Sequence, residues 1–299
     1  MHPSPAPQAP TPDGPYPVPL HEAYRACEEI LRRNDENFPV ATRFLTPERR
    51  LALAAIYAFA RQADDIADAD APPADRLAAL DTVERALLRA LDGVPEGPVL
   101  TALADAAGRH RLPTEPFLDL LEAFRMDARN ATFATWDDLL AYCRGSANTI
   151  GRLVLATHGI DDADTLRRSD DVCTALQLTN FWQDLGRDLA RGRLFVPVED
   201  LARFGIAPDG LARPAARQAL TRLIEHECRG TADLFARGAP IVREVPLGLA
   251  LQLRATIAGG RAVLRAVERS GWRVLRHRPT LSGAARVRVL LQALLGFHG

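Results

Sequence analysis

From Glu22 onward, apolar residues recur at spacings of three and four, the period of a helix with one buried face. Segments 21–36, 47–69, 74–91, 98–111, 114–128, 136–158, 161–190, 211–237, 246–270 and 280–296 carry this pattern. Prolines at 39, 47, 72–73, 95–98, 113, 240, 246 and 279 fall between or at the ends of these segments, where helices stop or start. No stretch alternates as a strand does; Arg193–Pro197 is at most a short extended connector. The pattern therefore predicts an all-α fold of about ten helices. Residues 1–20 hold eight prolines and read as a disordered tail rather than a targeting signal. No apolar run approaches the roughly 18 residues that a membrane span requires.

The chain has 299 residues and 47% hydrophobic content, enough for a sizeable core, and residues 21–299 read as one domain. A formal net charge of −1 argues against a nucleic-acid partner. Cys27, Cys143, Cys173 and Cys228 form no CxxC pair, so they read as buried or free thiols of a reducing cytoplasm. Every basic side chain other than histidine is arginine, which excludes a lysine Schiff base.

Candidate chemistry enters with two distant acidic stretches, Ala60–Asp68 and Asn180–Asp188, each holding a DxxxD pair: Asp64 with Asp68, and Asp184 with Asp188. On a helix such pairs lie about 6 Å apart along the axis and repel by about 0.2–0.5 kcal/mol. One acidic pair is usually just a solvated face. Here the flanks, Ala54–Ala60 and Leu176–Trp182, read as buried helix, and Asn180 adds a third oxygen donor four residues before Asp184. Buried carboxylates need a partner. Mg2+ held by one or two carboxylates and by substrate phosphate oxygens would supply it. A third stretch, Tyr142–Val154, is rich in small residues, which suits either tight helix packing or the wall of a ligand cavity. Tyr142, one turn before Ser146, would put a phenol there.

Tyr57–Asp68, Tyr142-Cys143, Gln177–Asp188, Gly192-Arg193 and Pro197 together resemble the squalene and phytoene synthase family, over nearly the whole chain from residue 21. Glu36–Ala41, Ser146–Asn148 and Asn180–Asp184 look most like its hydroxysqualene synthase branch, which takes presqualene diphosphate, expels diphosphate and adds water. The resemblance implies an isoprenoid-synthase-type helical bundle with a central apolar cavity. It also implies an isoprenoid diphosphate substrate and Mg2+ held by Asp64, Asp68, Asp184 and Asp188, with Asp65 and Asn180 accompanying them. Arg61 matches a diphosphate contact, and its planar fork suits phosphate oxygens, although a salt bridge to Asp65 is the plainer expectation. Gln177 and Asn180 match polar positions beside the second acid set, Phe38 a cavity aromatic, and Tyr142 a tyrosine beside the ionising carbon, while Tyr57, Gln183 and Arg193 are further candidate substrate contacts.

Departures from the family pattern sharpen the expectation. Arg187 stands where many members have Glu, Gln183 where condensing enzymes have Arg, Glu36-Asn37 where they have Arg-Ser, and Asn148 where many have Gly. Fewer cationic diphosphate contacts suit a substrate with one diphosphate. Ionisation would be driven by neutralising the leaving group. The carbocation needs an apolar space without bulk water, faced by one or two rings among Tyr57, Phe59, Phe181 and Trp182. Asn148, aided by Ser146 or Tyr142, would hold the one reacting water, since a water needs two or more polar partners. Two other readings stand beside this one: head-to-head condensation of farnesyl or geranylgeranyl diphosphate, and a non-catalytic assembly factor of the same fold. Near the end, Arg254, Arg261, Arg265, Arg269 and Arg273, then Arg276 and Arg278, form a basic stripe. With an amphipathic helix over 286–295 it could be a solvated face or could dock on an anionic inner-membrane surface.

Overall fold

The computed structural model describes residues 16–33 and 45–283, and these are α-helical with no strand among them. The helices are α1 (Leu20–Arg33), α2 (Pro47–Ala67), α3 (Pro73–Leu91), α4 (Gly97–His110), α5 (Glu115–Ala128), α6 (Trp136–Cys143), α7 (Thr149–Ala156), α8 (Ala163–Ala190), α9 (Val198–Arg203), α10 (Arg217–Gly238) and α11 (Leu247–Ser270). Their starts follow local chemistry. Thr46 caps α2 ahead of Pro47, whose missing N–H is no loss in a first turn. Thr135 and Asp138 form a reciprocal capping box on α6, and Asp162 accepts the Thr165 N–H at 2.9 Å to open α8.

Two expectations need correction. Segment 136–158 is two helices joined by a π turn over Arg144–Asn148, a widened turn that periodicity alone does not reveal. Residues 211–216 are 3-10 and turn structure, so α10 starts only at Arg217, while α9 is a short helix that the pattern did not announce. Most of segment 280–296, and Glu36 to Ala41 with Phe38, lie outside the described residues. Cys27, Cys143, Cys173 and Cys228 are free thiols. No helix of the described residues is long and apolar enough to cross a membrane.

The core has two apolar clusters. One gathers α1 to α5 around Leu53, Phe59, Leu80, Leu103 and Phe117. The other packs α6, α8, α10 and α11 around Leu178, Trp182, Leu223 and Phe235. Each fully buried Leu or Phe contributes about 1.5–3 kcal/mol. Helix α5 belongs to both clusters, through Phe117 and Leu121 on one side and Ala123 on the other. The small residues of Tyr142–Val154 serve close packing at two points. A Cβ on Gly145 would press the Asp119 carbonyl at 3.0 Å, and one on Gly151 would meet Cys173 Sγ at 2.5 Å. Phe59 sits edge-on to Phe117, and Trp182 is fully buried with its indole N–H donating to Thr231 at 2.9 Å, so both are core rings.

The arginine stripe also divides. Arg265, Arg269, Arg273 and Arg276 are exposed. Arg261 donates to the Phe235 carbonyl, Arg254 is partly buried, and Arg278 turns inward to Asp184.

Candidate functional site

Three helices end in acid where the two clusters meet. Asp64 lies in the last turn of α2 and Asp68 caps it, Asp127 is the penultimate residue of α5, and Asp188 lies in the last turn of α8. A helix C-terminus carries partial negative charge and disfavours carboxylates, so each acid is placed against its own helix. Two arginines hold this arrangement together. Arg76, buried on α3, donates to the Ala67 carbonyl and to the Ala128 carbonyl, both at 2.8 Å, tying the ends of α2 and α5 side by side.

Arg193 is delivered by the way α8 stops. Gly192 adopts φ +75°, the left-handed region that glycine enters without Cβ strain. The Arg193 N–H then bonds the Asp188 carbonyl at 2.8 Å and the Gly192 N–H bonds that of Leu189 at 3.1 Å, the paired bonds of a Schellman ending. The chain reverses, and the Arg193 guanidinium reaches across to Asp68 at 2.6 Å. It also lowers the proton affinity of Asp64, Asp127 and Asp188, so acids from all three helix ends share it.

Crowding leaves these acids reluctant to ionise. Burial and then the Asp68 charge raise Asp64 to about 6, against the opposing pull of Arg61. Burial raises Asp188 to about 6 as well, helped by Asp184 and, across the seam, by Asp68. Asp127 is pushed to about 7 by burial, although the Tyr142 phenol donates to both its oxygens at 2.8 and 2.9 Å. The same burial and the Asp127 charge hold the Tyr142 phenol well above its usual range. Phe133, Phe181 and Phe195 pack on the Tyr142 ring, with Phe181 stacked on Phe195 at 3.9 Å.

The second acid set has its own cation. Arg278 forms a fork on Asp184 through Nε at 2.7 Å and a terminal nitrogen at 2.9 Å. The segment that carries it docks because Gly186 has no side chain: a Cβ there would strike the backbone of Leu275. Gln183 donates to the Pro279 carbonyl at 2.5 Å and is buried, so it braces this segment instead of facing the acids. Arg187 is exposed and lies 3.4 Å from Asp184.

On the first set Arg61 bonds Asp64 at 2.9 Å and Asp65 at 2.6 Å, the salt bridge expected within its helix, while its Nε has no partner among the described residues. Asn180 is exposed one turn before Asp184, Gln177 is half-buried another turn back, and Tyr57 is half-buried on α2. Asn148 is buried in the π turn and accepts the Thr174 hydroxyl at 2.9 Å. Ser146 Oγ is buried beside the Tyr142 phenol and interacts with it.

Sequence reasoning missed Asp127, Arg76 and the inward turn of Arg278. An acid in the last turn of a helix is an anomaly the macrodipole flags, and that signal was present at Asp127. Nothing local distinguishes Arg76.

As the side chains stand, carboxylates meet arginines, and no three acidic groups among the described residues close on one point. The donor set still suits a hard divalent cation: aspartate oxygens four residues apart on two helix ends, with excess negative charge pressing on Asp64 and Asp188.

Residues 31–285 match the pattern that describes squalene/phytoene synthase. A phytoene synthase of Mycobacterium bovis is 32% identical over 282 residues, 92% of this chain and 91% of that one. A hydroxysqualene synthase of Rhodopseudomonas palustris is 36% identical over 213 residues, 71% of this chain and 72% of its own. Among solved structures, squalene synthase HpnC from Alicyclobacillus acidocaldarius superposes with a TM-score of 0.80 at 41% identity, covering 86% of this chain and 97% of that one. The acid-ended helices are thus seen in a chain that belongs to the squalene/phytoene synthase family.

Proposed function

We propose that this protein converts presqualene diphosphate and water to hydroxysqualene and diphosphate. The observation that carries the reading is the convergence of three acid-ended helices on Arg193, which brings Asp68 of one DxxxD pair and Asp188 of the other under one cation's influence. Asp64, Asp68, Asp184 and Asp188, with Asp65 and Asn180 alongside, would hold Mg2+, which supplies positive charge to the departing diphosphate. Arg61 and Arg193 are the side chains on hand to bind its free oxygens, because Arg61 already bridges Asp64 and Asp65, Arg193 bonds Asp68, and each can exchange a carboxylate for a phosphate oxygen. The prenyl chains are assigned to the apolar seam beyond Tyr57 and Phe181. Phe38 lies outside the described residues.

Water capture has its own support. A buried Ser146 hydroxyl beside the Tyr142 phenol, in a turn widened by one residue, has further capacity to bond a single water, and the Asn148 amide is the second polar group there. The Tyr142–Asp127 pair, with Asp127 near 7, is placed to accept the proton released when water adds to the cation.

A second reading, head-to-head joining of two prenyl diphosphates, is favoured by one observation: the phytoene synthase relative aligns over more of the chain than the hydroxysqualene synthase does. Purified protein incubated separately with farnesyl, geranylgeranyl and presqualene diphosphates, with and without Mg2+, separates the readings by product mass. Hydroxysqualene from presqualene diphosphate alone supports the proposal. C30 or C40 products from the monomeric diphosphates support condensation, and no diphosphate release from any of them would leave a non-catalytic helical factor.

A further inference from the structure

Helix α8 has a second functional-looking neighbour on its other side. Residues two apart on a helix point in nearly opposite directions, so while Asp184 faces Arg278, Trp182 faces α10 and donates to Thr231 there. Trp136 stacks on Trp182 with ring centroids 6.5 Å apart. Beyond it opens a cavity of about 410 Å3, lined by Trp136, Glu199, Asp200, Arg203, His226 and Glu227. It shares no residue with the acid-ended helices.

Glu227 is the anomaly. It is 1% exposed, and neither carboxylate oxygen has a hydrogen-bond partner among the described residues. A buried carboxyl without partners costs about 1–3 kcal/mol, more when charged, so it is kept only where something else offsets the loss. Its neighbours are otherwise engaged. Glu199 accepts the Trp136 backbone N–H at 2.6 Å, and Asp200 stands 3.5 Å from His226. His226 Nε2 is also 3.3 Å from an Arg203 nitrogen. One turn after Glu227, Gly230 leaves room for the Trp136 benzo ring, which lies 3.5 Å from where a Cβ would be. The unfilled carboxyl and an aromatic ring therefore border one cavity.

We propose that this cavity is a binding site for a small primary alkylammonium ion, with Glu227 and Asp200 as acceptors and the Trp136 ring as its apolar wall. Two bare carboxyl oxygens call for N–H donors, which a quaternary ammonium lacks. An aromatic ring beside them favours an organic cation over a hydrated metal ion. The guanidinium of Arg203 at the rim opposes a doubly charged guest. Burial raises Glu227 to about 9, with Asp200 and Glu199 adding to the shift, so a bound ammonium would also supply the charge that lets it ionise.

The test is calorimetric titration of the full chain with butylammonium chloride, with tryptophan fluorescence as a second readout. One saturable site is expected in the wild type. E227Q should weaken it by at least about tenfold, the loss of one charge-assisted bond. W136F should weaken it less and remove most of the fluorescence change. D188N, on the opposite side of α8, should bind as the wild type does. No saturable binding by the folded wild-type chain, equal binding by E227Q, or equal affinity for tetramethylammonium would each overturn the assignment. Circular dichroism of E227Q confirms that the variant is folded.

Discussion

Glu227 also makes a quantitative statement about stability. In the unfolded chain its carboxyl titrates at the ordinary glutamate value of 4.5, while burial holds it at about 9 in the fold. Below pH 4.5 both states are protonated and the side chain introduces no pH dependence. As pH rises from there the unfolded state ionises and the folded state does not, so stability falls until about pH 9 and is then flat. Each pH unit in that window is worth about 1.4 kcal/mol. At pH 7 the native state has thus given up on the order of 3 kcal/mol relative to a neutral isostere. Glu227→Gln should therefore stabilise the protein, by little at pH 5 and by about 3 kcal/mol at pH 7. Asp200, Glu199, Arg203 and His226 line the same cavity and are present in both proteins, so the difference between the two reports Glu227 together with its coupling to Asp200 and Glu199. Urea denaturation of wild type and variant at pH 5, 6, 7 and 8 measures it. A stability difference that stays constant across that series would mean that Glu227 ionises normally, and the account of a neutral, unpartnered carboxyl would be wrong.

Arg193→Gln removes the cation shared by the three helix ends and should lower kcat/KM by about 100-fold or more, with little change in fold by circular dichroism; near wild-type turnover would refute its role. Arg76→Met leaves the Ala67 and Ala128 carbonyls without their donor. It should cost about 2–4 kcal/mol in urea denaturation and reduce turnover, since both acid-ended helices lose their common tie. Gly186→Ala gains up to about 1 kcal/mol of helix propensity but drives a Cβ into the Leu275 backbone, for a net loss of about 1–2 kcal/mol. Susceptibility to limited proteolysis around residues 271–283 reports the displaced segment. Asn148→Gly should reduce hydroxysqualene relative to other products of presqualene diphosphate; an unchanged yield of the tertiary alcohol counts against a water held there.

The helices themselves were legible from spacing, because a buried stripe has to repeat every three or four residues wherever the helix lies. The two DxxxD sets stood out for the same reason: an i, i+4 acid pair on an otherwise apolar helix is a local contradiction. Spacing says which face is buried but not what it is buried against, and that is where tertiary structure decided. At Asp127 the sequence offers only an acid in a helix's last turn, and its role as a shared carboxylate appears once the end of α2 and the Arg193 guanidinium are brought beside it. Arg278, read as part of a solvated stripe, turns out to pair with a carboxylate 94 positions away. Gln183 reads as a contact of the acid site but faces the Pro279 carbonyl. The π turn at Arg144–Asn148 arises from one extra residue in a turn packed on α5 and α8, a long-range constraint with no local signature. Sequence alone determined the elements and the chemistry they could carry. Which charges meet depended on how those elements pack, because Coulomb interactions follow distance in space and not along the chain.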